Sequence, residues 1–448
     1  MTAIGQVSDT TGRADFVSRG WGASSACTIG RFESDEDLAT TEFSTLKANL
    51  DVAAAIGYEA AKIWIQRERL DAVIAFNGRM DATRGILEAA KDTGVRYISM
   101  ERSWFGDGLQ LLPDESCLGL RSISRLAAEW CDVPLTPVQA RRAATIVAAR
   151  FNRSNSKEWR AYNTSALHKE WPANGRYKVL LVPGSRSEVW GHPDRADGWQ
   201  GRTQAYDALI SHFDLKPQDI VLRAHPNWSE RIGQRTGIRA EEYYRDWAQK
   251  RGVSFIPSND RTSTLGLIEQ ADIVVVAGGS AAIEAGIIGK RIIALAPSEY
   301  QAAGFVESAN NVVELSATRP IDSQPETVRF EEIARRTLRF CYTIAYRVPQ
   351  YVDAVTCVST TNYKYLEDTD PDRIIELIQT GILKADDASS AVDYVGENAI
   401  LGLVSERRWF ELTEAEPENR LMTRHHLMRR PLFRAFNSMR PWWPKGDL

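Results

Sequence analysis

The sequence predicts an α/β protein with two doubly wound domains facing a cleft, the first one short, joined by a helical connection and followed by a C-terminal tail. Two patterns carry that expectation. From "YKVLLVPGS" to "KRIIALAP", over about 120 residues, five apolar strand-like runs alternate with helical ones. Earlier, "LDAVIAFNGR", "MDATRGILEAAKDTG" and "VRYISME" read as strand, helix and strand, a βαβ unit that implies a parallel pair.

Taken in order, residues 1–40 are rich in Ser, Thr, Gly and Asp without a clear period, the composition of a partly disordered segment. Residues 41–120 form the short first domain. It opens with a helix from about Glu42 to Arg69, whose apolar residues recur at three and four. Gly94 stops the helix of the βαβ unit. Residues 121–175 are helical and Arg/Ala-rich, broken at "WCDVPLTP", and connect the domains. Residues 176–325 form the second α/β domain, 326–420 a helical or irregular return, and 421–448 a basic, aromatic tail.

Composition narrows the function. The 448 residues suffice for two or three domains with proper cores, and 43% hydrophobic with 25% charged residues is ordinary for a water-soluble protein. A net charge of −4 argues against nucleic-acid binding through the overall field. The cysteines (27, 117, 131, 341 and 357) are scattered without a CxxC pair, which fits reduced thiols and no cysteine-built zinc site. No run approaches the roughly 20 apolar residues of a membrane span, and no secretory signal opens the chain. The expectation is a cytoplasmic protein.

In an open parallel sheet, ligands bind beyond the carboxyl ends of the strands, and three strand ends carry unusual residues. "PGSRSE" offers Ser185 and Arg186 in a small-residue loop; "RAHP" offers Arg223, His225 and Pro226; "AGGSAAIEAG" places Gly278, Gly279 and Ser280 at a helix start, with Glu284 one turn on. Helix-start amides favour an anion, and glycines let a phosphate approach the backbone. Each feature alone also reads as a surface loop, a punctuating proline or a capped turn. Together, at successive strand ends, they point to a phosphate-bearing ligand.

The order HP, "FIPS", then "LIEQADIVVVAGGSAAIEAGIIGKRIIAL" resembles the nucleotide-binding half of GT-B glycosyltransferases, in particular bacterial capsule polysaccharide biosynthesis glycosyltransferases with their HP and serine motifs. "FNGRMDATRGILEAAKDTGVRYISMER" resembles their first-domain segment, and the likeness spans about residues 45–310. It implies a GT-B-like pair of Rossmann-like domains. It also implies that His225 contacts the donor's leaving phosphate, that Ser280 and its neighbouring amides hold that phosphate, and that Glu284 holds the nucleotide's sugar. Enzymes with the HP motif often use CMP-activated acidic sugars. Two features depart from the family: where a GT-B first domain usually has two or three strands ahead of "FNGR" this chain has weakly patterned residues, and "ERSWFGDG" replaces an acidic-Gly-Phe stretch.

Glycosyl transfer needs stabilisation of the departing phosphate and a base for the acceptor hydroxyl. Arg223, His225 and the helix-start amides suit the first task. For the second, Glu101 and Asp107 lie at a first-domain strand end, with Arg102 beside Glu101 to help keep it ionised and Asn77 and Arg79 at the neighbouring tip. No DxD-like motif appears, so neither a metal nor a cofactor is expected; the nucleotide sugar is a substrate and a glycan or glycolipid the acceptor. A nonhydrolysing nucleotide-sugar epimerase, with a similar "HP…GG…EA" order, stays open, as does a noncatalytic nucleotide- or sugar-binding partner of a polysaccharide assembly complex. The tail has six Lys/Arg against one Asp, with Trp442 and Trp443 among them, which suits either an anionic membrane surface, making the protein peripheral, or packing on protein. His425 and His426 are adjacent and share no helix face, so they suggest no metal site.

Overall fold

A computed structural model describes residues 20–105, 108–155, 165–229, 231–232, 235–322, 327–350, 355–359, 362–366, 372–413 and 422–423. Asp107, His425, His426, Trp442 and Trp443 lie outside the described residues.

The segment expected to lack pattern holds two helices, α1 (Ala23–Gly30) and the single turn α2 (Asp35–Leu38). A capping box starts α2: Ser34 Oγ accepts from Asp37 N at 3.1 Å, and the Asp37 carboxylate accepts from Ser34 N at 3.1 Å. Thr40 then caps α3 (Thr41–Glu68), the long helix anticipated from periodicity. β1 (Ala72–Phe76), α4 (Asp81–Thr93) and β2 (Arg96–Arg102) form the expected βαβ unit, parallel in the register Ala72↔Arg96 to Phe76↔Met100. Gly94, at φ +70°, ends α4 in the left-handed conformation. β3 (Leu109–Pro113) pairs antiparallel with β2, because the link between them is too short for a crossover helix. In the first sheet, parallel pairing is thus confined to the βαβ unit.

α5 (Arg121–Trp130) and α6 (Pro137–Phe151) connect the domains. Thr136 and Gln139 form a second capping box and Pro137 occupies the first turn, so α6 begins where the sequence breaks at "PLTP". The second domain then runs β4 (Val179–Val182), α7 (Arg186–Val189), α8 (Arg202–Phe213), β5 (Ile220–Arg223), α9 (Ile238–Arg251), β6 (Ser254–Ile256), α10 (Thr264–Gln270), β7 (Ile273–Val276), α11 (Ala281–Ile287), β8 (Arg291–Ala294) and β9 (Glu307–Ser308). The five anticipated strands and the short β9 make one parallel sheet in the order β9-β8-β7-β4-β5-β6. Its interior strands are buried on both faces, and side chains alternate between two cores. Val179, Leu181, Leu222 and Val275 face α8 and α9. Leu180, Val221, Val274 and Val276 face the other way, into a core that runs through α6 and α11 to Ile98, Leu111 and Leu112 of the first domain.

The chain then returns to the first domain. α12 (Thr327–Tyr342) leads through a π-helical turn at Thr343–Arg347 into β10 (Pro349–Gln350), which extends the first sheet to β1-β2-β3-β10. α13 (Asp372–Thr380) lies against β2, where Arg96 Nε donates to Ile378 O at 3.1 Å. α14 (Val395–Ser405) and α15 (Trp409–Thr413) pack on α6, with Phe151 and Trp409 stacked at 4.1 Å. The result is two α/β bodies that share one apolar core.

Candidate functional site

Winding proceeds from β4 through β5 to β6 on one side and from β7 through β8 to β9 on the other, so it reverses between β4 and β7. The crevice beyond the carboxyl ends of two such strands is where a doubly wound sheet takes ligands. Pro183-Gly184-Ser185 leave β4 there, Ala277-Gly278-Gly279-Ser280 leave β7, and Ala224-His225-Pro226 leave β5 alongside. The three tips singled out from sequence therefore sit on three adjacent strands. A Cβ on Gly184 would come within 2.7 Å of Ala277 O, so the β4 and β7 tips approach this closely only through glycine. Gly278 (φ +99°) and Gly279 (φ +82°) take conformations that disfavour other residues, and the space around them is open.

His225 is half-buried at the head of a short 3₁₀ turn, Pro226–Trp228. Pro226 starts that turn, where its missing N–H costs nothing. The imidazole Nδ1 lies 2.6 Å from Asn227 Oδ1 and 3.3 Å from Asn227 N. Asn227 N–H donates to Nδ1 when the ring carries no proton there, whereas in the imidazolium Nδ1–H donates to Oδ1 at 2.6 Å. Burial holds the imidazole pKa below its ordinary value; Glu188 opposes this, while Arg31 and Arg223 reinforce it.

The other predicted donor-side residues divide by what they touch. Ser185 Oγ accepts from Trp228 Nε1 at 3.3 Å, tying the β4 tip to the His225 turn. Arg223 is buried and donates to the backbone oxygens of Pro257 and Asp260, so its guanidinium braces the loop after β6. Arg186 is buried too, with Nη1 2.9 Å from Asp35 Oδ1. Ser280 has helical φ and ψ and does not cap α11; its Oγ is 3.5 Å from Glu284 Oε1. Glu284 is buried and pairs with Arg150 of α6 at 2.8 Å. Phe105, from the "ERSWFGDG" stretch, lies 5.3 Å from the Arg150 guanidinium. That part of the first domain is thus placed beside the helix that follows the glycine pair.

On the first domain, Asn77 (φ +67°) turns the chain at the end of β1, and its Nδ2 donates to Glu101 Oε2 at 3.2 Å. Arg102 N donates to Glu101 Oε1 at 3.0 Å. Arg79 and Arg102 favour the carboxylate, as expected of Arg102, yet burial is the larger effect and raises the Glu101 pKa above its ordinary value. Arg79 Nη1 donates to Thr28 Oγ1 at 2.7 Å, and Thr28 Oγ1 donates to Ser187 O of α7 at 3.1 Å. Through α1, then, the first-domain tip is linked to the second-domain loop after β4.

Sequence reading missed the part played by residues 28–35. Arg31 Nη2 donates to Asn227 O at 3.3 Å. Glu33 accepts from Arg186 N (3.0 Å), Ser187 N (3.3 Å) and the Tyr244 hydroxyl (3.0 Å), and burial pushes its pKa up to about 7. The Ser34–Asp37 box in "FESDED" was the local signal that this segment is ordered. Nothing local showed that it docks on a sheet some 150 residues away. Among the described residues, no group of three His, Cys, Asp or Glu side chains could hold a metal ion, and no helix is long and apolar enough to cross a membrane.

No family model and no curated protein matches the chain. Among solved structures, it is similar to the β-Kdo 2,4 transferase KpsC of Thermosulfurimonas dismutans, at 15% identity and a TM-score of 0.38, over 70% of this chain and 88% of that one. The UDP co-structure of MnaA from S. aureus overlaps at 12% identity and a TM-score of 0.30, over 83% and 96%. A UDP-GlcNAc 2-epimerase of Methanocaldococcus jannaschii, in complex with UDP-GlcNAc and UDP, overlaps at 15% and 0.26, over 59% and 72%. At these identities and TM-scores the overlaps are too loose to assign an activity, which rests on the chemistry of the site.

Proposed function

We propose that this chain is a nucleotide-sugar-dependent glycosyltransferase, moving a sugar to a glycan or glycolipid acceptor in bacterial surface polysaccharide synthesis. The observation that carries the reading is the meeting of three strand tips at the reversal of a doubly wound sheet, one of them bearing an oriented imidazole, with a half-buried carboxylate, Glu101, at the end of the opposite sheet. On this reading the nucleotide phosphate lies against the Gly278–Ser280 turn. As the anomeric C–O bond breaks, its electron pair stays on the phosphate oxygen, which takes a proton from the His225 imidazolium. The acceptor oxygen bonds to the anomeric carbon and gives its proton to Glu101, whose raised pKa makes it a stronger base than an exposed carboxylate. Asn77 holds that carboxylate through its Nδ2, and the charge of Arg79 favours its ionised form.

A thermal-shift panel of CMP, UDP, GDP and dTDP tests the donor half. The cognate nucleotide at 100 times its Kd should stabilise the fold by about 2.7 kcal/mol, and no shift with any of the four would remove the reading. The Glu101 carboxylate, with Arg79 acting on both it and Cys117, also suits a second reading, a nonhydrolysing epimerase. Incubation with a UDP-sugar and no acceptor separates the two, since only an epimerase would convert the sugar. The basic, aromatic tail supports a peripheral place on anionic membrane; removing residues 421–448 should lower binding to anionic vesicles and spare transfer to a water-soluble acceptor.

A further inference from the structure

Asn227 is buried, and it makes two side-chain hydrogen bonds in opposite directions. Its Oδ1 faces His225 Nδ1 at 2.6 Å, and its Nδ2 donates to Glu188 Oε1 at 3.3 Å. Its backbone oxygen is held as well, by Arg31 Nη2 at 3.3 Å. The three side chains come from two strand tips, Glu188 from α7 after β4 and the others from the turn after β5, so the arrangement exists only because β4 and β5 are neighbours. We infer that Asn227 and Glu188 are positioning residues for His225: a carboxylate–amide–imidazole relay that fixes the ring and its tautomer and reserves Nε2 for proton exchange.

The inference rests on the transferase reading, in which His225 is the acid. Hydrogen bonding at one ring nitrogen decides what the other can do. With Nδ1–H donated to Asn227, the charged ring transfers its proton from Nε2 to the phosphate oxygen that keeps the electron pair of the broken bond. The ring returns to its neutral Nδ1–H form, and neither Asn227 nor Glu188 changes protonation. Glu188 orients the amide so that its oxygen, not its nitrogen, faces the ring, and its charge favours the imidazolium. Among the described residues, Arg31, after α1, and Arg223, on β5, also act on the ring, and both disfavour the imidazolium.

The test is the pH dependence of nucleotide release from CMP-, UDP-, GDP- and dTDP-sugars by Asn227→Ala, Asn227→Asp and Glu188→Gln. A general acid works protonated, so activity falls as pH rises through its pKa. Asn227→Ala should lower kcat on the order of 10-fold and move this alkaline limb to lower pH. Asn227→Asp keeps an acceptor for Nδ1–H and adds negative charge, so kcat should largely recover and the limb move to higher pH. Glu188→Gln should move it to lower pH, with nucleotide Kd unchanged in all three. Equal effects of Ala and Asp at 227, or a limb that stays in place in every variant, would overturn the relay. Glu188 is exposed and carries the test if changes at buried Asn227 prevent folding. If the wild-type protein releases no nucleotide from any sugar, the transferase reading fails instead. The relay is then judged by NMR titration of His225, whose pKa should fall in Glu188→Gln and rise in Asn227→Asp.

Discussion

On the transferase reading His225 and Glu101 have opposite tasks, and burial shifts the pKa of each in the direction that task favours. Lowering the imidazole pKa makes its proton easier to give up, and raising the carboxylate pKa makes it a better acceptor. His225→Ala should cut turnover by on the order of 10²-fold or more with the fold intact; near-normal turnover would remove its role as acid. Glu101→Gln should abolish transfer while nucleotide binding survives, and normal transfer paired with a dead Asp107→Asn would move the base to Asp107. Glu284 carries a second burden through Arg150. Glu284→Gln leaves that arginine charged and buried without its carboxylate, which should cost about 3 kcal/mol in chemical denaturation, in addition to weaker nucleotide binding. Lost affinity at unchanged stability would show that the ion pair contributes nothing to the fold.

At the scale of elements, the site depends on how closely two loops approach. The glycine pair after β7 was legible as a turn into a helix, and its positive φ angles agree with that. The demand on Gly184 was not legible, because it comes from Ala277, across the sheet. Gly184→Ala should cost about 1–3 kcal/mol by overpacking and weaken nucleotide binding, since the backbone oxygen it meets cannot rotate away. Gly279→Ala meets open space and should show only the strain of its backbone, about 1–2 kcal/mol. Unfolding and nucleotide titration of both variants check this; equal nucleotide affinity in Gly184→Ala and wild type would mean that the two tips need not meet this closely. Thr40, Thr136 and Ser263 cap helices from within their own segments, whereas Ser280, the serine read as a possible cap, does not cap α11.

Across the whole molecule, the loop at residues 192–195 fastens the second domain to the first. Asp194 accepts from Leu120 N at 3.0 Å, and Arg195 Nε donates to Leu118 O at 2.9 Å. His192 sits within this contact, near Arg195 and near Arg84 and Lys91 of α4, and burial lowers its pKa to about 4. Below pH 6.5 the unfolded chain binds a proton that the folded one refuses, so this contribution is complete above pH 6.5 and is lost as pH falls toward 4. Glu33 has the opposite sign: with a folded pKa of about 7, its contribution is complete below pH 4.5 and is lost as pH rises through 7. His192→Asn should therefore flatten the loss of stability on acidification between pH 6.5 and 4, and denaturation midpoints across that range should show it. An unchanged slope would place the acid sensitivity elsewhere.

The sequence by itself determined the second domain's strands and helices, the βαβ unit of the first and the three strand tips that meet. Those follow from periods of two and 3.6 and from local capping, which neighbouring residues express without help from the rest of the chain. Only the tertiary structure decided that β4 and β7 flank the reversal of winding, that Glu284 answers to Arg150, and that residues 23–38 pack as helices against both domains. Such pairings join positions as far apart as Arg31 and Asn227. No local pattern encodes them: a buried charge or amide accepts whichever partner folding delivers, and strand order depends on how whole elements cover one another's apolar faces.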